Sequence, residues 1–93
     1  MTLAEWKRQF HVGQRLVCTY RWYWGKSEEV TVTQIRTVGI LYKTADKERV
    51  YLDFPRAHEL KADEKGFELY FPSEPKWLDR AGTLMSRYEW VKE

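Results

Sequence analysis

From Arg15 to Trp24 the sequence alternates with period two, and the same alternation returns several times along the chain. Leu16, Cys18, Tyr20, Trp22 and Trp24 share one face of an extended segment; Arg15, Val17, Thr19, Arg21 and Tyr23 share the other. Successive side chains of a strand point to opposite sides, so this spacing predicts a long strand. A β-branched run from Val30 to Thr37 predicts a second strand and Val38 to Thr44 a third, with Gly39 a bulge or sharp bend between them. After a turn at Asp46-Lys47, Glu48 to Phe54 alternates again, with Val50, Leu52 and Phe54 on one side. Pro55 ends that strand, because it has no N–H to give a ladder. A turn at Pro55-Arg56-Ala57 precedes a short strand around Glu59 to Ala62. Asp63-Glu64-Lys65-Gly66 reads as a hairpin loop in which Gly66 is free to take positive φ. Phe67, Leu69 and Phe71 continue as a strand until Pro72-Ser73-Glu74-Pro75 breaks it. Lys76 to Ala81 reads as one or two helical turns stopped by Gly82, and Thr83 to Val91 as a closing strand.

One segment has the helical period instead. Thr2 and Glu5 have the spacing of a capping box, and Leu3, Trp6 and Phe10 follow on one face, which predicts a helix from Leu3 to about Phe10. Many short strands and one helix define the class. It is mainly β (α+β): a small antiparallel twisted sheet, or partly open barrel, of about five or six strands with an N-terminal helix, residues 1–93 forming one domain. Trp90 is expected to pack against the first helix or strand and tie the C-terminus down.

Charge narrows the partners. Sixteen Lys and Arg stand against fourteen Asp and Glu, a net +2, and the signs are interspersed. That is a solvated surface rather than a phosphate-binding stripe. Cys18 is the only cysteine, which rules out an intramolecular disulfide and a thiolate zinc cluster. It shares a face with Leu16, so it reads as a buried small hydrophobe rather than a nucleophile. His11 and His58 are the only imidazoles. No phosphate-cradling glycine loop, paired-histidine metal spacing or nucleophile elbow is present. The expectation is a protein without catalysis, cofactor or metal. No apolar run approaches the roughly 20 residues that span a bilayer, and the polar start after Met1 is unlike a secretory leader, so the expected setting is cytoplasmic.

The most informative stretch is Thr19-Tyr20-Arg21-Trp22-Tyr23-Trp24-Gly25-Lys26, four aromatics with two cations at a strand end and its turn. Tyr, Trp and Arg give large rigid contact area with a polar handle, the chemistry of interface hot spots. Arg21, Trp22, Tyr23, Trp24 and Lys26 are therefore the first candidate surface, with Arg21 and Tyr23 on the solvent side. Lys76, Trp77 and Arg80 form the second, although Trp77 also suits a plug for the open end of the barrel.

Over roughly residues 13–71 the arrangement resembles Src-homology-3-like and Tudor-like domains in architecture, without a motif to carry over. What the resemblance implies is a groove or cage lined by aromatics near strand ends. In size and composition the chain also resembles small accessory proteins of phages and mobile elements, which implies an inhibitor or regulator of a host protein. The first functional expectation is thus a protein-binding module. The alternative is single-stranded nucleic-acid binding by aromatic stacking, with Arg21, Arg36 and Lys43 near the phosphates. A third is a homo-oligomer, paired through edge strands, that sequesters a small ligand.

Overall fold

The alternating segments form seven strands among the described residues: β1 (Arg15–Arg21), β2 (Glu28–Arg36), β3 (Gly39–Lys43), β4 (Arg49–Asp53), β5 (Leu60–Ala62), β6 (Gly66–Pro72) and β7 (Ala81–Trp90). The computed structural model describes residues 1–21, 27–73, 77 and 80–92. All neighbours are antiparallel, in the order β4-β3-β2-β1-β7-β6-β5. Two meanders, β1–β4 and β5–β7, are thus joined where β7 pairs with β1. The sheet does not close. Its edges are β4 and β5, linked by residues 54–59, which include a 3-10 turn at Ala57–Glu59. The mainly β class with one N-terminal helix is what forms; each segment read as a strand contributes one, so the sheet has seven strands rather than five or six.

The helix α1 (Leu3–Lys7) is shorter than the apolar spacing predicted, but its start is as expected. The Glu5 backbone N–H donates to Thr2 Oγ1 at 3.2 Å, and the Thr2 N–H donates to Glu5 Oε1 at 3.3 Å. Five residues cannot hold a helix alone. Trp6 holds it, with no exposed surface, ringed by Phe10, Phe54 and Phe67 at centroid distances of 5.0, 5.7 and 5.2 Å. Trp90 joins the cluster against Phe10 and Phe67, as expected for a tied-down terminus.

Two bulges decide which side chains enter the core. Along β1 and β7 the register steps between Cys18 and Tyr20, leaving Thr19 as an extra residue. The Thr19 hydroxyl donates to the carbonyl of Arg87 at 3.3 Å. Along β2 and β3 the step lies between Val32 and Gln34, and the extra Thr33 donates to the carbonyl of Leu41, also at 3.3 Å. An extra residue reverses the alternation beyond it. Past Thr19, Tyr20 therefore turns outward, 38% exposed, and Arg21 turns inward, 7% exposed. The expectation that Tyr20 lies in the core and Arg21 on the solvent side is corrected. Past Thr33, Ile35 takes the side of Ile40, its cross-strand partner, and Gln34 and Arg36 move to the outer face.

Other expectations also change. Gly66 opens β6 without positive φ; its role is close approach, because a Cβ there would lie 2.0 Å from the Tyr88 carbonyl oxygen. Gly82 belongs to β7 and stops no helix. Of residues 76–81, read as helical turns, Lys76, Leu78 and Asp79 lie outside the described residues, and Ala81 opens β7. No helix among the described residues is long and apolar enough to cross a membrane.

Candidate functional site

Of the first candidate surface only Arg21 is described; Trp22, Tyr23, Trp24 and Lys26 lie outside the described residues. Arg21 belongs to a buried polar cluster on the inner face. Its Nη2 lies 3.0 Å from Glu28 Oε1, and its guanidinium carbon 5.4 Å from the centre of the Tyr42 ring. The approach to Glu28 is close in distance, yet neither Nε nor Nη2 has an aligned hydrogen-bond acceptor among the described residues. Ser86, directly across the ladder from Arg21, is buried as well. The hydroxyls of Tyr42 and Tyr88 hydrogen-bond at 3.0 Å, and the buried Cys18 thiol donates to the Tyr20 carbonyl.

Burial is the main cause that raises the pKa of Cys18, Tyr42 and Tyr88; the neighbouring Tyr88 adds to it for Tyr42, and the neighbouring Cys18 for Tyr88. All three stay protonated at neutral pH, which suits a structural cluster. On unfolding they return to ordinary values, about 8.5 for a thiol and about 10 for a tyrosine. Below those values neither state loses a proton, so their contribution is fully present. Above them the unfolded chain ionises first and stability falls, by about 1.4 kcal/mol per pH unit for each group. The melting temperature is therefore expected to hold to about pH 8 and drop steeply above about pH 10. A Tyr42→Phe variant should show a shallower drop; an equal slope in both proteins would remove Tyr42 from this account.

In the second candidate surface, Lys76 lies outside the described residues, Arg80 is exposed, and Trp77 is 78% exposed, which does not fit a plug. No described partner brings Trp77 and Arg80 together.

The residues that do converge lie on the outer face of β2, β3 and β4. Arg36, Lys43 and Arg49 share one depression of about 360 Å³ with Thr33, Gln34 and Leu41. Lys43 is the direct partner of Arg49 in the ladder. Backbone bonds link Thr44 with Glu48 and Val38 with Phe54, and bonded pairs alternate with unbonded ones. Lys43 and Arg49 thus form an unbonded pair, the kind in which Cα atoms sit about 4.5 Å apart and side chains come closest. Like charges directly opposite destabilise a sheet. Neither cation has a carboxylate partner among the described residues, where the ion pairs are Arg15–Glu29, Arg21–Glu28 and Arg87–Glu68. Arg36 donates only to Gln34 Oε1, at 3.3 Å.

The other half of the sheet is built differently. On the outer face of β5–β7, Lys61 stands opposite Glu68 and Glu68 opposite Arg87, so the signs alternate across the ladder and Arg87 makes a two-nitrogen contact with Glu68. Cations are compensated there and left uncompensated on β2–β4. Of Arg21, Arg36 and Lys43, the cations expected near phosphates, the fold keeps the last two together and turns Arg21 inward. Nothing local in the sequence singles out Arg49 or Tyr51, because only the β3–β4 pairing puts them beside Lys43 and Leu41.

Tyr51 completes this face. It is 40% exposed, opposite Leu41, on the edge strand. Its hydroxyl and ring end lie over Gly39, 2.9 and 3.0 Å from where a Cβ would stand. The absence of a side chain at Gly39 lets the ring lie along the sheet. Among the described residues no three His, Cys, Asp or Glu side chains gather as a metal site would require. No family model, curated protein or solved structure matches the chain.

Proposed function

We propose that this chain is a non-enzymatic binding module whose partner docks on the outer face of β2–β4 and presents negative charge there. The uncompensated pair Lys43–Arg49, facing each other at an unbonded ladder position, is the observation that carries this reading. Mutual repulsion is a standing cost to the free protein, and an anion between the two cations relieves it. Arg36 supplies a third positive charge and the Gln34 amide nitrogen a neutral donor at the same depression, while the Thr33 hydroxyl proton is held by the Leu41 carbonyl. The earlier candidate surface at the end of β1 is a weaker basis, since Arg21 is turned inward to Glu28.

Polyphosphate is a suitable probe, being anionic and nothing more. The double variant Lys43→Glu/Arg49→Glu is expected to bind it at least about tenfold more weakly at low salt. Each reversal removes two units of charge, so the net charge moves from +2 to −2. A control, Lys61→Glu/Lys65→Glu, makes the same change on the other half and should lose far less. Equal losses in the two doubles would mean that only net charge matters and that this face is not a site.

A protein partner taken up as an extra strand is the second reading, favoured by the open seam. Arg49, Tyr51 and Asp53 direct their backbone groups to the free edge of β4, since Val50 and Leu52 bond to β3. β5 pairs β6 only as far as Leu69, and a cleft of about 220 Å³ between the halves includes Leu52, Phe54, Leu69, Tyr70 and Met85. An extended segment could supply the missing ladder. This reading is the one left if the Lys43–Arg49 face fails its test.

A further inference from the structure

We propose that the ligand of the β2–β4 face is single-stranded nucleic acid, with the Tyr51 ring stacking a base while Arg36, Lys43 and Arg49 contact phosphates. The inference rests on the reading of this face as an anion site and adds the class of ligand. Two observations separate a nucleic acid from an acidic protein. The first is the ring itself. Tyr51, 40% exposed on the edge strand β4, lies with its hydroxyl and ring end over Gly39 on the face that carries Lys43 and Arg49, and it borders the cleft lined by Tyr70, Pro72 and Met85. Aromatic rings lying on a sheet among basic residues are how single strands are held, because every base has a π-face. The second is Asp53, exposed and next after Tyr51 on the same side of β4. A carboxylate there repels acidic side chains and phosphates alike, but a nucleic acid can set its phosphates on the cations and turn a neutral base amino or imino group toward Asp53 as donor.

Duplex recognition fits less well. Entry into a groove needs a projecting helix or ribbon. The described helix, α1, has five residues and is fastened through Trp6 to the core. A sheet face with a shallow depression suits a flexible strand whose bases can splay outward.

The test compares a short oligothymidylate, about 12 nucleotides, with polyphosphate carrying the same number of charges, each titrated calorimetrically into the full chain. The oligothymidylate is expected to bind about tenfold tighter, the effect of one stacked base. Its affinity should fall with salt at a log–log slope of about −2, for three phosphates on a single strand. Tyr51→Leu should bring the two ligands to equal affinity, whereas Tyr51→Phe should keep the difference. In the unmodified protein, Tyr51 ring-proton resonances should move upfield with oligothymidylate and stay in place with polyphosphate, a readout that does not depend on a variant folding. Equal affinities in the unmodified protein, unmoved ring resonances, or tighter binding of a glutamate-rich peptide would overturn the nucleic-acid inference and leave the anion reading standing. If neither polyphosphate nor oligothymidylate binds, both fall.

Discussion

Replacing Arg21 with Glu is expected to lower folding stability by about 3 kcal/mol or more, out of the roughly 5–15 kcal/mol typical of a domain. The substitution puts a second carboxylate beside Glu28 in place of the guanidinium that now lies 3.0 Å away. Breaking a buried pair strands an uncompensated charge, and that desolvation penalty exceeds what the pair itself contributes. The lower end of the usual range applies because Glu28 keeps some contact with solvent. The ring contact with Tyr42 is lost as well. A double variant, Arg21→Met/Glu28→Leu, removes both charges and should recover most of the loss, since apolar replacements of a buried pair are often near neutral. Urea midpoints of the three proteins decide the matter. An Arg21→Glu protein as stable as the original would return Arg21 to the solvent side and restore the end of β1 as a candidate surface.

Trp6→Ala is expected to be at least as damaging, at about 3–5 kcal/mol. The indole fills the space between α1 and the sheet, in edge-on contact with Phe10, Phe54 and Phe67. A cavity of that size cannot collapse without moving the helix, and five helical residues do not persist undocked. Release of α1 would expose Phe10, Phe67 and Trp90 together, so a rise in binding of a hydrophobic dye should accompany the loss of stability. Trp6→Phe should cost less, for a physical reason beyond size: the Trp6 indole N–H is buried without a hydrogen-bond acceptor among the described residues, and Phe has no such group. A Trp6→Ala protein within about 1 kcal/mol of the original, with no dye binding, would show that the helix is peripheral.

The candidate site was half legible in the sequence. A β-branched run and renewed alternation identified β2, β3 and β4, and in the structure Lys43 lies on the side away from Tyr42. The sequence could not pair Lys43 with Arg49, because pairing is a relation between strands and depends on the length and geometry of the turn between Thr44 and Glu48. Nor could it show that Tyr51 leans over Gly39, which is a consequence of packing between neighbours on one face.

The two bulges mark where local reading stops. The one at Thr33 left a trace: the apolar positions Val30, Val32 and Ile35 step by two and then three, so the change of face could be read from spacing. The one at Thr19 left none, because Leu16, Cys18, Tyr20 and Trp22 continue with period two straight through it. Both threonines donate to a carbonyl across the ladder, but Thr31, also in β2, sits in regular register. The residue type alone does not identify the bulge.

What the sequence determined by itself was everything that depends on near neighbours: the strands, the capped start of α1, the burial of Cys18 and the mainly β class. Period two and the Thr2–Glu5 spacing act over a few residues, where backbone geometry leaves few alternatives. What the tertiary structure decided was which arginine is inside. One inserted residue in β1 turns Arg21 to the core, and one in β2 turns Arg36 to the surface beside Lys43 and Arg49. A strand has only two faces, so a shift of a single residue exchanges them, and only the partner strand fixes where that shift occurs.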